Sequence, residues 1–450
     1  MNKVLVKSIA KQLLSYIPYQ YVNVGKEFYT WLDRFQQMRT MTNEQLKDLQ
    51  LKAFQEKVAF VYMHTPFYQK LYQEHGFHPE KFKDWTDVSR IPVINKNMVR
   101  EAGVSILPRP FPMNNLIVGA TSGTTGTSLT LYTNRKVLQR EWAATCFLWS
   151  EVGYQPGDGR VEFRGLFTED RAYQLDRYHR ILRINVAKLT VDNIDKIFEV
   201  IQKTGYKFFH GYPSALSLVA RLIQERKLEF RYQPGAILLA SETLHAYQEA
   251  VIRNVFPQTK IHVHYGQSEK VIMAGRVEDA PYRFIPLYGY AECNSNTHAL
   301  IGTSFINDVM PLIRYEIADT VTDFSESPDA GESYLFPSAA NIDGRVSEIM
   351  YKPNGDMVSS ALMAITVRGL NSVTACKFIQ RQYDEIEVFL ESSLPQHTVM
   401  KEMEGLSRNL QMIFTESMKL TFSIVDHIPR TASGKLKFIE VLIGKERNPT

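Results

Sequence analysis

The chain has 450 residues and is 44% hydrophobic, with 25 Phe and 23 Tyr; this composition excludes a disordered chain and predicts a sizeable core. A net charge of +4 is small for this length and argues against nucleic acid as the main partner, because phosphate-backbone binding shows as a strongly basic face. Cys146, Cys293 and Cys376 are far apart and odd in number. They suit neither a disulfide framework nor a zinc knuckle, and a cytoplasmic, reducing setting is expected.

In chain order, the opening MNKVLVKSIAKQLLSYI spaces Val4, Val6, Ile9, Leu13, Leu14 and Ile17 at roughly helical intervals. Lys7 and Lys11 break any signal-peptide core. A helix packed on its own domain and a helix lying on a membrane surface both fit, so peripheral attachment at the inner membrane face stays open. No apolar run approaches the ~20 residues that cross a bilayer. Residues 1–100 are mainly helical in pattern. KDLQLKAFQEKVAFVYMHTPFYQKLYQEHG reads as one long helix stopped at Gly76.

From about residue 115, strands alternate with helices. NLIVGA, SLTLYT, KFFHGY, GAILLAS and KIHVHYG read as strands; VDNIDKIFEVIQKTG and SALSLVARLIQERK read as helices. This alternation predicts an α/β core. Strands dominate residues 285–340. After Gly344, the strand EIEVFLES, the helix HTVMKEMEGLSRNLQMIF and the strand KLTFSIVDHI form a β-α-β piece large enough for a domain. The expected organisation is a large α/β domain over 1–343 and a small α+β domain over 344–450.

Seven of the ten residues from 121 to 130 are Ser or Thr, with Gly123 and Gly126 among them. A P-loop would read GxxxxGK[ST] and open a helix, but no Lys follows Gly126 and SLTLYT reads as a strand. The GxGxxG dinucleotide fingerprint is missing too. What remains is a strand, a loop and a strand. Its glycines free backbone N–H groups and its hydroxyls add donors, which suits a polyanion such as triphosphate. Taken alone, the loop fits a solvated hairpin tip as well.

Three further segments accompany it in order: HYGQSE at 264–269, MPLIRYEIAD at 310–319 followed by IDGRVSEIM, and IPRTASGKLK at 428–437. Together with TSGTTG they resemble the motifs of the adenylate-forming superfamily, the acyl-CoA synthetases and their relatives. PFY at 66–68 and IPVINK ending at Lys96 resemble the phenylacetate–CoA ligase branch. GYPSALSLVA, SETL and PLYGYAE resemble its members of capsular polysaccharide biosynthesis. The resemblance covers nearly the whole chain. It implies a multi-subdomain large domain, a mobile small domain, and a ligase that joins a carboxylate to ATP and transfers the acyl group.

The resemblance gives each motif a role. Thr121, Ser122, Gly123, Thr124, Thr125 and Gly126 would hold the β- and γ-phosphates. Glu269 would ligate Mg²⁺, whose hard character suits carboxylate oxygen. Tyr265, Gly266, Gln267 and Ser268 would border the adenine, with Ser241, Glu242 and Thr243 on another side; Glu242 also reads as a helix-capping acid. Asp319 would accept from both ribose hydroxyls, and Arg345 would contact ribose or phosphate near a hinge at 346–348. Lys435 would bridge carboxylate and α-phosphate oxygens as a compact charge on a flexible stem. His264 and Tyr212 are candidates for the acyl pocket. His210 and His262 lie on expected strands where no Cys or carboxylate completes a zinc set.

The sequence also departs from the family pattern. Ala318 stands where Gly usually precedes the ribose Asp, and Ser347 stands at the hinge. A Gly of positive φ could not be replaced by Ala without strain. Residues 164–190 do not match the phenylacetate enzymes, so phenylacetate is not carried over. The expected co-substrates are ATP, Mg²⁺, a small carboxylate and coenzyme A. An amine, hydroxyl or carrier-protein acceptor, an inactive nucleotide-binding homologue and a homodimer stay open.

Overall fold

The computed structural model describes residues 24–110, 115–120, 129–164, 171–228, 232–326, 336–345, 350–354, 357–358, 363, 366–367, 370, 372–414, 417–430 and 436–443. The amphipathic opening segment and the expected hinge at 346–348 lie outside them. By packing, the chain divides into two compact units: Met1–Gly157 with His264–Ile342, and Asp158–Val263 with Asp343–Thr450.

The first unit begins in helices. The helix Lys26–Gln37 buries Phe28, Trp31, Leu32 and Phe35, which share one face of a 3.6-residue period. That face packs on the helix Arg135–Trp149, where the Phe35 and Phe147 rings lie 5.9 Å apart. Each such fully buried side chain contributes about 1.5–3 kcal/mol. Asn134 caps the Arg135–Trp149 helix by accepting from Val137 N–H at 3.0 Å.

The long helix read from the sequence over residues 47–76 is instead two. Asn43–His64, opened by a reciprocal Thr42–Gln45 capping box, ends before Pro66, and Pro66–Glu74 begins anew. Proline has no N–H to donate one turn back and disfavours helical geometry in the residue before it. Thr65 accordingly sits at φ −117°, ψ 108°, while Pro66 takes the first helical position, where a missing N–H costs nothing. Gly76, at φ +62°, follows the second helix.

The strands of this unit run in the order Gly289–Cys293, Ala299–Ser304, Tyr315–Ser325, Ser338–Arg345, Tyr282–Phe284, Met273–Val277. Ile94, from the IPVINK stretch, bridges this sheet: its N–H donates to Arg314 O at 3.0 Å, and its carbonyl accepts from Glu316 N–H at 2.8 Å. Ala318 lies inside the strand Tyr315–Ser325 and is not among the left-handed residues, so the missing Gly costs no backbone strain. The strands Ile117–Ala120 and Thr130–Thr133 form an antiparallel hairpin.

In the second unit Ala236–Ala240, Phe208–Gly211, Arg160–Arg164 and Ile181–Asn185 form a parallel ladder, with Tyr173–Asp176 antiparallel at its edge. All four residues of Phe208–Gly211 are buried, as expected of a parallel strand covered on both faces. The helices Ile194–Thr204, Pro213–Arg226 and Ala246–Val255 make the crossovers. In the same unit, the strands Lys419–Val425, Glu385–Glu391, Ala375–Gln382 and Ile439–Val441 form a separate sheet in that order. The helix Gln396–Phe414 sends Val399, Leu406, Leu410 and Phe414 into a core with Phe378, Val388 and Leu390. This is the mixed α/β architecture, with its α+β C-terminal piece, that the sequence pattern predicts.

Candidate active site

The strand Lys260–Gly266 buries Ile261, His262 and Val263, then rises to half-buried His264 and Tyr265 and exposed Gly266. A turn closed by Lys270 N–H on Gln267 O follows at 3.0 Å. A Cβ on Gly266 would lie 3.2 Å from His264 Nε2, so the close approach there favours glycine.

At the strand's end Tyr265 Oη donates to Asp319 Oδ2 at 2.7 Å. The Tyr265 ring meets Phe284 edge-on, with centroids 6.4 Å apart and planes at 79°. Loss of water around the hydroxyl pushes its ionisation well above the ordinary value, and the negative Asp319 adds to the effect. Tyr265 is therefore a fixed donor. Gln267 lies beside the same hydroxyl and accepts from Ile272 N–H at 3.3 Å.

A second pairing joins the same two motifs. Tyr315 Oη, on a buried ring, donates to Glu269 Oε1 at 3.5 Å. Left-handed backbone flanks both partners, with Lys270 at φ +58° and Arg314 at φ +44°. Such strain in non-glycine residues persists where the surroundings over-determine it, commonly at functional sites. The surroundings of Arg314 are explicit. Its guanidinium forks onto Glu292 at 3.0 and 2.8 Å and donates to the Val88 and Ile91 carbonyls at 3.0 and 2.7 Å. Arg314, inside the MPLIRYEIAD segment, is thus engaged by its own unit next to Tyr315. Tyr315 was missed as a site residue, although its position inside RYEIAD was the available signal.

In the second unit Ser241 sits at φ +70°, and both it and Thr243 are exposed. Between them Glu242 uses both carboxylate oxygens: Oε2 accepts from Ser214 N–H at 3.1 Å and Oε1 from Leu436 N–H at 2.9 Å. Ser214 lies in the first turn of the helix Pro213–Arg226, so Glu242 does serve that helix N-terminus, as its capping alternative foresaw. Burial raises the Glu242 carboxyl above the usual range, against the opposing pull of these N–H donors and of Arg430. Tyr212, the residue before that helix, is buried.

Thr121, Ser122, Gly123, Thr124, Thr125, Gly126 and Lys435 lie outside the described residues. Arg345 ends the strand Ser338–Arg345, and its side chain is likewise outside them. Among the described residues no group of three His, Cys, Asp or Glu side chains is arranged to hold a metal. Among the described residues no helix is long and apolar enough to cross a membrane.

Residues 350–441 match the family described as the CapK C-terminal domain. Over 405 residues the chain is 24% identical to Protein CapK of Staphylococcus aureus, covering 87% of this chain and 88% of that one. A stretch of 93 residues is 36% identical to phenylacetate-coenzyme A ligase of Thermus thermophilus, 20% of either chain. Among solved structures, 2-hydroxyisobutyryl-CoA ligase in the postadenylation state with R3-HIB-AMP is similar with a TM-score of 0.67 at 16% identity, over 87% of this chain and 89% of that one. The fold is that of the adenylate-forming ligases. The likeness to Protein CapK extends through most of the chain, well beyond the residues that the family model matches.

Proposed function

We propose that this chain is an ATP-dependent, AMP-forming ligase that activates a carboxylic acid as its acyl-adenylate and passes the acyl group to coenzyme A. One observation carries the reading: two motifs some fifty positions apart meet twice, as Tyr265 with Asp319 and as Tyr315 with Glu269. The two pairings bring together a fixed phenol, a carboxylate of the kind that accepts from a ribose diol, and a second carboxylate of hard oxygen.

In the first step a carboxylate oxygen attacks the α-phosphorus and pyrophosphate leaves; in the second the acceptor thiol attacks the acyl carbon and AMP leaves. Asp319, oriented by Tyr265, binds the ribose hydroxyls. Gly266, Gln267 and Ser268, with Ser241 and Thr243, border the adenine. Residues 121–126 hold the outer phosphates. Mg²⁺, when bound, neutralises phosphate charge. Glu269, steadied by Tyr315, would be the protein carboxylate that holds it. Lys435 bridges the attacking carboxylate and the α-phosphate, and Arg345 contacts ribose or phosphate. His264 and Tyr212 border the acyl group. The small domain 344–450 is the part that rearranges between steps.

A second acceptor class is supported by the likeness to Protein CapK, which spans far more of the chain than that to phenylacetate-coenzyme A ligase. In that reading an amine, hydroxyl or carrier protein of surface-polysaccharide assembly takes the acyl group. The test is carboxylate-dependent ATP–pyrophosphate exchange with aryl, amino and sugar acids, followed by addition of CoA or a sugar amine. Thioester formation supports CoA as acceptor; amide formation without thioester replaces it; no exchange with any acid overturns the ligase reading.

A further inference from the structure

Lys270 follows Glu269 and holds a left-handed backbone, φ +58°, without being glycine. Three contacts within the first unit keep it there. Its N–H donates to Gln267 O at 3.0 Å inside the turn. Its carbonyl accepts at 2.7 Å from Oγ of buried Ser304, which ends the strand Ala299–Ser304. Its ammonium lies 2.9 Å from Glu141 Oε2, on the helix Arg135–Trp149, and both side chains are largely shielded from water. The same Glu141 oxygen accepts from Tyr288 Oη at 3.2 Å. Burial, and then the Glu141 charge, push the ionisation of that phenol well above the ordinary value, so Tyr288 stays a donor. Neither Glu141 nor Lys270 lies in a motif read from the sequence.

We infer that Glu141 is a positioning residue for Glu269: by fixing the Lys270 ammonium it holds the left-handed turn that aims the neighbouring carboxylate. The Glu269 carbonyl and the Lys270 N–H share one rigid peptide plane. A lysine in left-handed geometry is strained, and such strain persists only where the surroundings over-determine it. Without Glu141 the largely buried ammonium would lose its counter-charge and pull toward water. The turn would then relax and swing the peptide plane that carries Glu269. Tyr315 meets the Glu269 carboxylate from its far end, at 3.5 Å. Glu269 is thus held through its backbone by Glu141 and at its tip by Tyr315. The inference rests on the proposed role of Glu269 as the carboxylate that holds the metal.

The test compares the whole wild-type chain with Glu141→Ala, Glu269→Gln and the double variant Glu141→Ala/Lys270→Gly. The probe is Mn²⁺ with a non-hydrolysable ATP analogue, bound Mn²⁺ being read by electron paramagnetic resonance. Hydrogen exchange of the Lys270 amide and urea midpoints are measured alongside. In Glu141→Ala, Mn²⁺ affinity should fall about tenfold and the Lys270 amide should exchange about tenfold faster, the factor a hydrogen bond to a charged group carries. Glycine adopts positive φ without strain and brings no ammonium to bury. Adding Lys270→Gly should therefore return Mn²⁺ affinity to within about threefold of wild type, a rescue that a merely structural contact does not predict. Unchanged Mn²⁺ affinity in Glu141→Ala with a lowered urea midpoint, or no rescue in the double variant, overturns the inference. Glu269→Gln separates the two failures. If it leaves Mn²⁺ affinity unchanged, the role given to Glu269 is wrong. If it weakens Mn²⁺ binding while Glu141→Ala does not, only the positioning role is wrong.

Discussion

Tyr265 and Asp319, from two different motifs, share a hydrogen bond of 2.7 Å. Because burial and Asp319 itself keep the phenol protonated, the bond has one direction: Tyr265 donates and Asp319 accepts. The Tyr265 hydroxyl thereby orients the carboxylate. Tyr265→Phe should raise the KM for ATP about tenfold, since a hydrogen bond to a charged group contributes about 1.5–3 kcal/mol. Asp319→Ala should also erase the wild-type preference for ATP over 2′-deoxy-ATP. Steady-state kinetics with both nucleotides check this.

Glu269 Oε1 accepts from Tyr315 Oη at 3.5 Å, and its carboxylate is the hard-oxygen group proposed to meet the cation. Glu269→Gln keeps the shape and removes the charge. Its magnesium titration should shift to higher concentration, with kcat at saturating ATP down about a hundredfold, in the range of a lost electrostatic contact in a reacting site. Activity measured against free Mg²⁺ checks it.

Arg314 is expected to matter for folding. It is largely buried, forks onto Glu292 and donates to two backbone carbonyls. Arg314→Ala strands the buried Glu292 and should cost about 3–5 kcal/mol. The double variant Arg314→Ala/Glu292→Ala should recover part of that loss. Urea denaturation of the three proteins checks it.

His245 makes stability fall with acid. It is 7% exposed, and burial pushes its imidazolium down to about 4 from an ordinary 6.5. As pH drops below about 6.5, the unfolded chain takes a proton that the folded chain refuses until about pH 4, so protons favour unfolding across that window. The loss should reach about 2 kcal/mol by pH 5 and about 3 kcal/mol below pH 4. His245→Phe keeps a ring against Tyr247 and Phe438 and should flatten that part of the profile. Urea midpoints from pH 7.5 to 4.5 check it.

These residues were unequally legible in the sequence. The strand Lys260–Gly266 was readable from alternation, and Tyr265, Glu269 and Asp319 from contiguous motifs whose chemistry is in their side chains. The split at Thr65 was missed because apolar periodicity runs through Pro66, although a proline there argues for a boundary. Arg314 lies inside the MPLIRYEIAD segment, and only its partners reveal that its guanidinium is engaged by Glu292 and two backbone carbonyls. The bond from Glu242 to Leu436 was not legible at all. A backbone N–H has the same identity at every non-proline residue, so no residue type announces which amide a distant carboxylate will hold.

The most direct test follows the acid's own oxygen. The chain is given a carboxylate labelled with ¹⁸O in both oxygens, ATP and Mg²⁺, and the AMP released after acyl transfer is weighed. Attack of a carboxylate oxygen at the α-phosphorus predicts AMP carrying one ¹⁸O atom and unlabelled pyrophosphate. ADP in place of AMP, or label in inorganic phosphate, would contradict the account.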